Sequence, residues 1–271
     1  MPESNPSAGE STANGRPVLV LLHGVGGNAA GFGPLAAEFS RLGWPAIAWS
    51  QPGYDGTSLV TPYDLDNCAR ALASWLAGRG LGRVVLVGHS MGGMLAQSLS
   101  ALAGYHLAGL VLAHTSPAFG NAGGDFQTRF IASRTRPLDE GKSMREIATA
   151  LVPGMMAPEA SGEARAAAIA MMADVPPQTY RLAVAAIAAF EGRAHLPAIR
   201  VPTLCLAAEH DVTSAPAVLQ RMAQRIPDAD YECLEGLGHL APIEDPSRWA
   251  AVVADWCSRR IAIPTASRSS R

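Results

Sequence analysis

A serine between glycines stands at the end of a run of branched apolar residues: Val84-Val85-Leu86-Val87-Gly88-His89-Ser90-Met91-Gly92-Gly93. The apolar residues predict a buried strand over 84 to 88, and Met91 to Ala103 predicts a helix. Gly-x-Ser-x-Gly at such a junction is the pattern of a nucleophile elbow. The turn is so tight that the serine takes a strained backbone conformation, which only small neighbours such as Gly88 and Gly92 permit. The hydroxyl of Ser90 then stands above the sheet at a helix N-terminus, where developing negative charge is favoured. The bland alternative is a serine in a Gly-rich loop.

A serine hydroxyl is inert at neutral pH without a base, and the base needs a third group to orient it. Both lie downstream in the expected order. Val201 to Ala208 predicts a buried strand with Glu209-His210-Asp211 just past its end, which puts Asp211 on the same carboxyl edge of the sheet as Ser90. Glu209 is a rival carboxylate, and Asp211 is preferred because it lies farther beyond the strand. A helix (Ala215 to Arg225), a short strand (Ala229 to Leu234) and the loop Glu235-Gly236-Leu237-Gly238-His239 follow, before a last helix that starts near Pro246. His239, after a glycine and before a helix, suits a base reaching over the sheet edge. The structural alternatives are that Asp211 closes a turn and that His239 is a surface histidine.

Acyl chemistry also needs donors for an oxyanion, usually the N–H of the residue after the nucleophile and one from an early loop. The strand predicted over 17 to 22 ends in His23-Gly24-Val25-Gly26-Gly27, so the N–H groups of Val25 and Met91 are the candidates. The remaining histidines offer less. The side chain of His89 is expected to point away from the reacting centre and pack near the sheet edge, and His210 reads as structural. His106, His114 and His195 show no spacing that suggests a metal, and neither metal nor cofactor is called for.

These residues together resemble the α/β-hydrolase superfamily over roughly residues 17 to 260. The resemblance is carried by His23-Gly24, the elbow from Gly88 to Gly93, Asp211 after its strand, and Gly238-His239 with Glu244 and Pro246 following. Within the superfamily the chain looks most like small capped serine hydrolases that include 3-oxoadipate enol-lactonases and related esterases. That resemblance implies Ser90 as nucleophile, Asp211 as acid, His239 as base, and Val25 and Met91 as oxyanion donors. Ser rather than Asp at position 90 argues against epoxide hydrolases and haloalkane dehalogenases. Gln51-Pro52-Gly53-Tyr54 matches a familiar loop, although the family often has Asp where this chain has Ser50.

The elements that must position these residues alternate. Strands are predicted over 17 to 22, 46 to 50, 84 to 88 and 107 to 114, and helices over 63 to 79 and 91 to 103. The alternation then breaks. Residues 117 to 197 predict only helices: Phe126 to Ser133, Ser143 to Leu151, Glu163 to Met172 and Gln178 to Phe190. An all-helical insert between two sheet strands is a cap over the carboxyl edge, where ligands bind in open α/β sheets. The expected fold is therefore an α/β-hydrolase fold with a core at 16–116 and 198–262, a cap at 117–197, a polar unordered segment at 1–15 and a flexible tail at 263–271. Family members usually begin with an antiparallel hairpin. Sixteen residues ahead of the first strand leave little room for one, so the sheet is expected to be mostly parallel with about six strands.

Substrate information is thin. Met155, Met156, Met171 and Met172 suggest an apolar, adaptable lining, or simply packing of cap helices onto the body. Arg129, Arg134 and Arg136 could meet a substrate carboxylate or form a solvated helix face. Phe32 and Trp49 could line the pocket, although aromatic residues near a sheet are usually core. Gly24, Met155 and Arg129 are the expected substrate contacts.

Composition narrows the class. Of 271 residues 48% are apolar, enough for a large core, and the net charge of −2 makes no case for nucleic acid as partner. No apolar run spans a bilayer and no signal segment opens the chain, so neither a membrane partner nor export is expected and a cytoplasmic location is the default. Cys68, Cys205, Cys233 and Cys257 are scattered through predicted elements, as buried thiols would be. The expected partner is a small ester or lactone, hydrolysed through an acyl-enzyme without a cofactor; oligomeric state is not legible. The same residues would serve C–C bond hydrolysis or perhydrolase and haloperoxidase chemistry, and a signalling receptor with a vestigial triad is the alternative of a different class.

Overall fold

A computed structural model describes residues 15–102, 106–120 and 125–262. The expected unordered segment, except Gly15, and the expected tail lie outside the described residues. Six strands form one sheet: β1 (Val18–Leu22), β2 (Ala46–Trp49), β3 (Val84–His89), β4 (Gly109–Ala113), β5 (Thr203–Ala208) and β6 (Ala229–Leu234). Their order is β2-β1-β3-β4-β5-β6 and every pairing is parallel. Among the described residues there are ten α-helices: α1 (Gly33–Arg41), α2 (Leu65–Gly78), α3 (Met91–Ala101), α4 (Asp125–Asp139), α5 (Met144–Leu151), α6 (Gly162–Ala173), α7 (Pro177–Ala189), α8 (Pro216–Arg225), the short α9 (Ala241–Glu244) and α10 (Pro246–Arg260).

The central strands are buried on both faces, which is why they read as continuous apolar runs. On one face Leu19, Leu21, Val85 and Val87 pack with Phe39 of α1 and Trp249, Val253 and Trp256 of α10. On the other Val20, Leu22 and Leu86 pack with Leu72 of α2, Leu95 of α3 and Leu219 of α8. Each fully buried Leu or Val contributes about 1.5–3 kcal/mol of transfer free energy, so the alternation of inward faces sets which helix lies on which side.

Helix α1 leaves little trace in the sequence. Its sequence buries only Leu35 and Phe39, one i, i+4 pair in nine residues, which leaves too short an apolar stripe to recognise. Helix α4 also runs beyond the expected Ser133, through Pro137 to Asp139. Cys233 corrects the expectation of buried thiols: it is exposed on β6, whereas Cys68, Cys205 and Cys257 are buried.

Helices α4 to α7 follow β4 and precede β5. The chain enters and leaves this insert side by side, with an antiparallel bridge between Ala118 and Glu191 and Gly192 N–H donating to Pro117 O at 2.7 Å. Within it α4 packs on α7 and α5 on α6. Its interior is continuous with the body: Ile147, Val152, Met172 and Val184 belong to one buried cluster with Tyr54, Met91 and Met94.

Candidate active site

The strand-to-helix turn at β3 and α3 has the tightness its glycines imply. Ser90 adopts φ +54°, ψ −119° at the N-terminus of α3. A Cβ on Gly92 would stand 2.1 Å from Leu22 O, and one on Gly88 would stand 2.4 Å from Gly92 O. Any side chain there would displace backbone. The turn is held from β4, whose Ala113 O accepts from Ser90 N–H at 2.9 Å while Thr115 Oγ1 donates to Ser90 O at 2.7 Å.

Ser90, His239 and Asp211 meet across three loops at the carboxyl edge of the sheet. His239 Nε2 lies 3.0 Å from Ser90 Oγ, and His239 Nδ1 lies 2.9 Å from Asp211 Oδ2. Asp211 Oδ1 accepts the N–H groups of Thr213 at 2.8 Å and Ser214 at 2.7 Å. Burial pushes the Asp211 carboxyl up, but the His239 ring N–H and charge and the Ser214 N–H outweigh it and hold the group below the ordinary carboxylate range. Asp211 is therefore an anion that fixes His239 with Nε2 free to accept a proton from Ser90. Glu209, the rival, is exposed and accepts Gly236 N–H at 2.8 Å, remote from this row.

His89 corrects an expectation. Its side chain does not merely pack near the sheet edge: Nε2 donates to His239 O at 2.7 Å and the ring lines the cavity above Ser90. Burial, then the neighbouring His239, lowers its imidazole to about 3, so it is a neutral donor. Glu244 holds the same loop from the other side, accepting Gly238 N–H at 3.1 Å and Ala157 N–H at 3.0 Å. His239 N–H in turn donates to Met155 O at 2.8 Å. The His239 loop is thus pinned to the elbow and to the insert at once.

The early Gly-rich loop folds over Ser90, with a Cβ on Gly24 standing 3.2 Å from Ser90 Cβ. Burial lowers His23 to about 4, and its Nδ1–H bonds Gly24 O at 2.9 Å. Tyr54 OH donates to Val25 O at 3.0 Å, which gives the Gln51-Pro52-Gly53-Tyr54 loop its place as a brace. Gly24, Val25 and Met91 all line the cavity, and Met91 opens α3, where a backbone N–H has no intrahelical acceptor.

That cavity measures about 280 Å³ and lies between the sheet edge and the insert. Met155, Met171 and Met172 line it, whereas Met156 is buried outside it. Phe32 lines it too, but Trp49 does not: it is buried in the core beside Trp75. Arg129 is a second correction. It is exposed and absent from the lining, because Phe126, Phe130 and Arg134, spaced by four, form the inward stripe of α4. Arg136 is likewise outside, paired with Glu140 at 3.4 Å. Among the described lining residues Arg134 is the one with a permanent charge; its guanidinium lies 5.4 Å over the Phe130 ring.

Three contributors had no role from sequence: His89 as a tie, Glu244 as a clamp and His114 beside Asp211. His89 lies inside the elbow and Glu244 just after Gly238-His239, which marks their neighbourhood but not their partners, and His114 lies in no recognised motif. Among the described residues no group of three His, Cys, Asp or Glu side chains is arranged to hold a metal, and no helix is long and apolar enough to cross a membrane.

Known proteins share this arrangement of elements. A model of the alpha/beta hydrolase family matches residues 19–254. The polyketide synthase ThaQ of Burkholderia thailandensis is 29% identical over 227 residues, which are 82% of this chain but 11% of that protein. The pimeloyl-[acyl-carrier protein] methyl ester esterase of Aromatoleum aromaticum is 28% identical over 255 residues, covering 89% of this chain and 98% of that one. The solved enol-lactonase from Burkholderia xenovorans superposes with a TM-score of 0.81 at 21% identity, over 93% of this chain and 94% of that one.

Proposed function

The chain belongs to the alpha/beta hydrolase family, and from that premise we propose that it is a serine hydrolase cleaving a small carboxylic ester or lactone through an acyl-enzyme. The observation that carries this reading is the continuous row from Ser90 Oγ through both nitrogens of His239 to Asp211, at 3.0 and 2.9 Å. His239 Nε2 takes the Ser90 proton as Oγ attacks the carbonyl carbon, and Asp211 stabilises the imidazolium that forms. The N–H groups of Val25 and Met91 receive the oxyanion. As the tetrahedral intermediate collapses, His239 returns the proton to the leaving oxygen. Water activated by His239 then attacks the acyl-enzyme and Ser90 is restored.

The cavity supports a substrate class. About 280 Å³ is at the small end for ligand sites, and the wall of Met, Phe, Leu and Val side chains favours a short or medium apolar acyl group. Arg134 adds one cationic point to that wall and favours a substrate with a carboxylate at the end of its apolar part.

The test is a serine-directed phosphonate used alongside a panel of p-nitrophenyl esters. Wild-type protein is expected to be labelled once, at Ser90, and to turn over short esters; Ser90→Ala is expected to lose both while keeping its melting temperature. Undiminished labelling of Ser90→Ala overturns the assignment. A labelled wild type that gives one burst without steady turnover favours a receptor instead.

A further inference from the structure

His114 occupies an unusual place. Among the described residues three non-glycines have φ in the left-handed region: the exposed Asp55, Ser90 and His114, the last at φ +50°. Such a conformation costs a side chain other than Gly, Asn or Asp about 1 kcal/mol or more, and it persists where the surroundings demand it. At the end of β4, His114 is completely buried, and its N–H donates to Leu206 O at 2.9 Å, which ties the left-handed turn to β5.

The ring meets one partner on each side. Trp249 Nε1 of α10 lies 3.1 Å from His114 Nε2. An indole N–H only donates, so Nε2 must be the bare nitrogen and the proton must sit on Nδ1. His114 Nδ1 has no hydrogen-bond partner and stands 3.7 Å from Asp211 Oδ2, the same oxygen that receives His239 Nδ1. Burial holds His114 well below the ordinary histidine range, so the ring is neutral. The other titratable groups facing this cluster are His89 from β3, whose ring centroid is 5.6 Å away, His239 at 6.4 Å, and His23 and Glu244 behind them.

We propose that His114 is a positioning residue for Asp211: Trp249 locks it in the Nδ1–H tautomer, and that N–H closes on Asp211 Oδ2 to fix the carboxylate and share its charge with His239. This rests on the proposed roles of Asp211 and His239. A donor that stands just beyond hydrogen-bond distance in the free protein and closes on a developing charge pair is ordinary in such sites. Its consequence has a sign. A second donor draws negative charge from Oδ2, so the imidazolium of His239 is favoured less than it would be with Asp211 to itself.

The experiment compares His114→Phe, His114→Asn and Trp249→Phe with wild type. His114→Phe, which removes the donor and keeps a buried ring, is expected to lower kcat roughly tenfold with KM nearly unchanged. It should also move the acid limb of the kcat/KM profile upward by about half a unit. Asn tolerates left-handed φ and can offer its amide N–H where Nδ1–H stood, so His114→Asn should recover most of the activity and the wild-type limb. Trp249→Phe is expected to shift the limb in the same direction as His114→Phe, and it serves as the test if that variant does not fold. Nitrogen-15 spectra of the wild type, which need no turnover, should give His114 as the Nδ1–H tautomer. A His114 protonated on Nε2, or an acid limb that stays in place in both ring variants, overturns the proposal. Failure of Ser90 labelling would instead overturn the triad and leave the tautomer result standing.

Discussion

His89 Nε2 lies 2.7 Å from the backbone carbonyl oxygen of His239, so a residue inside the elbow holds the loop that carries the imidazole opposite Ser90. The two sides of the Ser90–His239 hydrogen bond are therefore referenced to each other directly and not only through the sheet. Small displacements of reacting groups cost rate steeply. His89→Ala should lower kcat by about tenfold to a hundredfold with the fold retained, and His89→Gln, whose amide can replace the Nε2–H donor, should recover much of it. Steady-state kinetics beside circular dichroism reads both, and a His89→Ala with wild-type kcat would show the tie to be idle.

Asp211 and Glu209 separate cleanly. Asp211 is buried and bonds His239, while Glu209 is exposed and bonds a turn N–H. Asp211→Asn should cost about ten-thousandfold in kcat, as loss of the orienting acid does elsewhere, and Glu209→Gln should cost less than about twofold. Comparable losses in the two variants would mean that the acid had been misassigned.

The charged point in the cavity sets a substrate test. A pair of esters alike except for a terminal carboxylate should be distinguished by wild type in favour of the anion, and Arg134→Ala should lose roughly tenfold or more of kcat/KM for the anion alone. Arg129→Ala and Arg136→Ala should change neither, since both side chains face solvent. Rapid hydrolysis of long-chain triglyceride would contradict a cavity of about 280 Å³.

Acid should unfold this protein early. His23, lowered to about 4, His89, lowered to about 3, and His114, held well below the ordinary histidine range, are buried and neutral in the fold. Unfolded histidine takes its proton near pH 6.5, so below that value the unfolded chain binds more protons than the folded one. Their contribution is complete above that pH and is lost as pH falls toward the folded values, at up to about 1.4 kcal/mol per pH unit for each ring. Urea midpoints should stay nearly level from pH 7.5 to about 6.5 and then fall toward pH 5, less steeply in His89→Gln. A midpoint independent of pH over that range would show that these rings are not held neutral.

How much of this was legible follows from how local each signal is. The elbow was legible because its steric demand is local: Gly88 and Gly92 are needed wherever a serine turns from strand to helix so sharply. Asp211 and His239 were legible because each follows a strand in a fixed order, and parallel strands end on one edge. Helix α1 was not, because a single buried pair, Leu35 and Phe39, gives too weak a period.

What the sequence by itself determined was therefore the framework: strand runs buried on both faces, the order of Ser90, Asp211 and His239, and an all-helical insert after β4. Which side chains face the cavity was decided only by tertiary structure. Arg129 and Arg134 belong to one helix and are equal in chemistry, and only the rotation of α4 against α7 turns Arg134 inward and leaves Arg129 in solvent. His89 and His114 carry no periodic or motif signal for their partners, since contacts across 150 residues to His239 and 135 to Trp249 exist only once separate loops have been brought to the same sheet edge. Directional hydrogen bonds between distant segments depend on ångström-scale placement that packing sets and that no local pattern of residue types encodes.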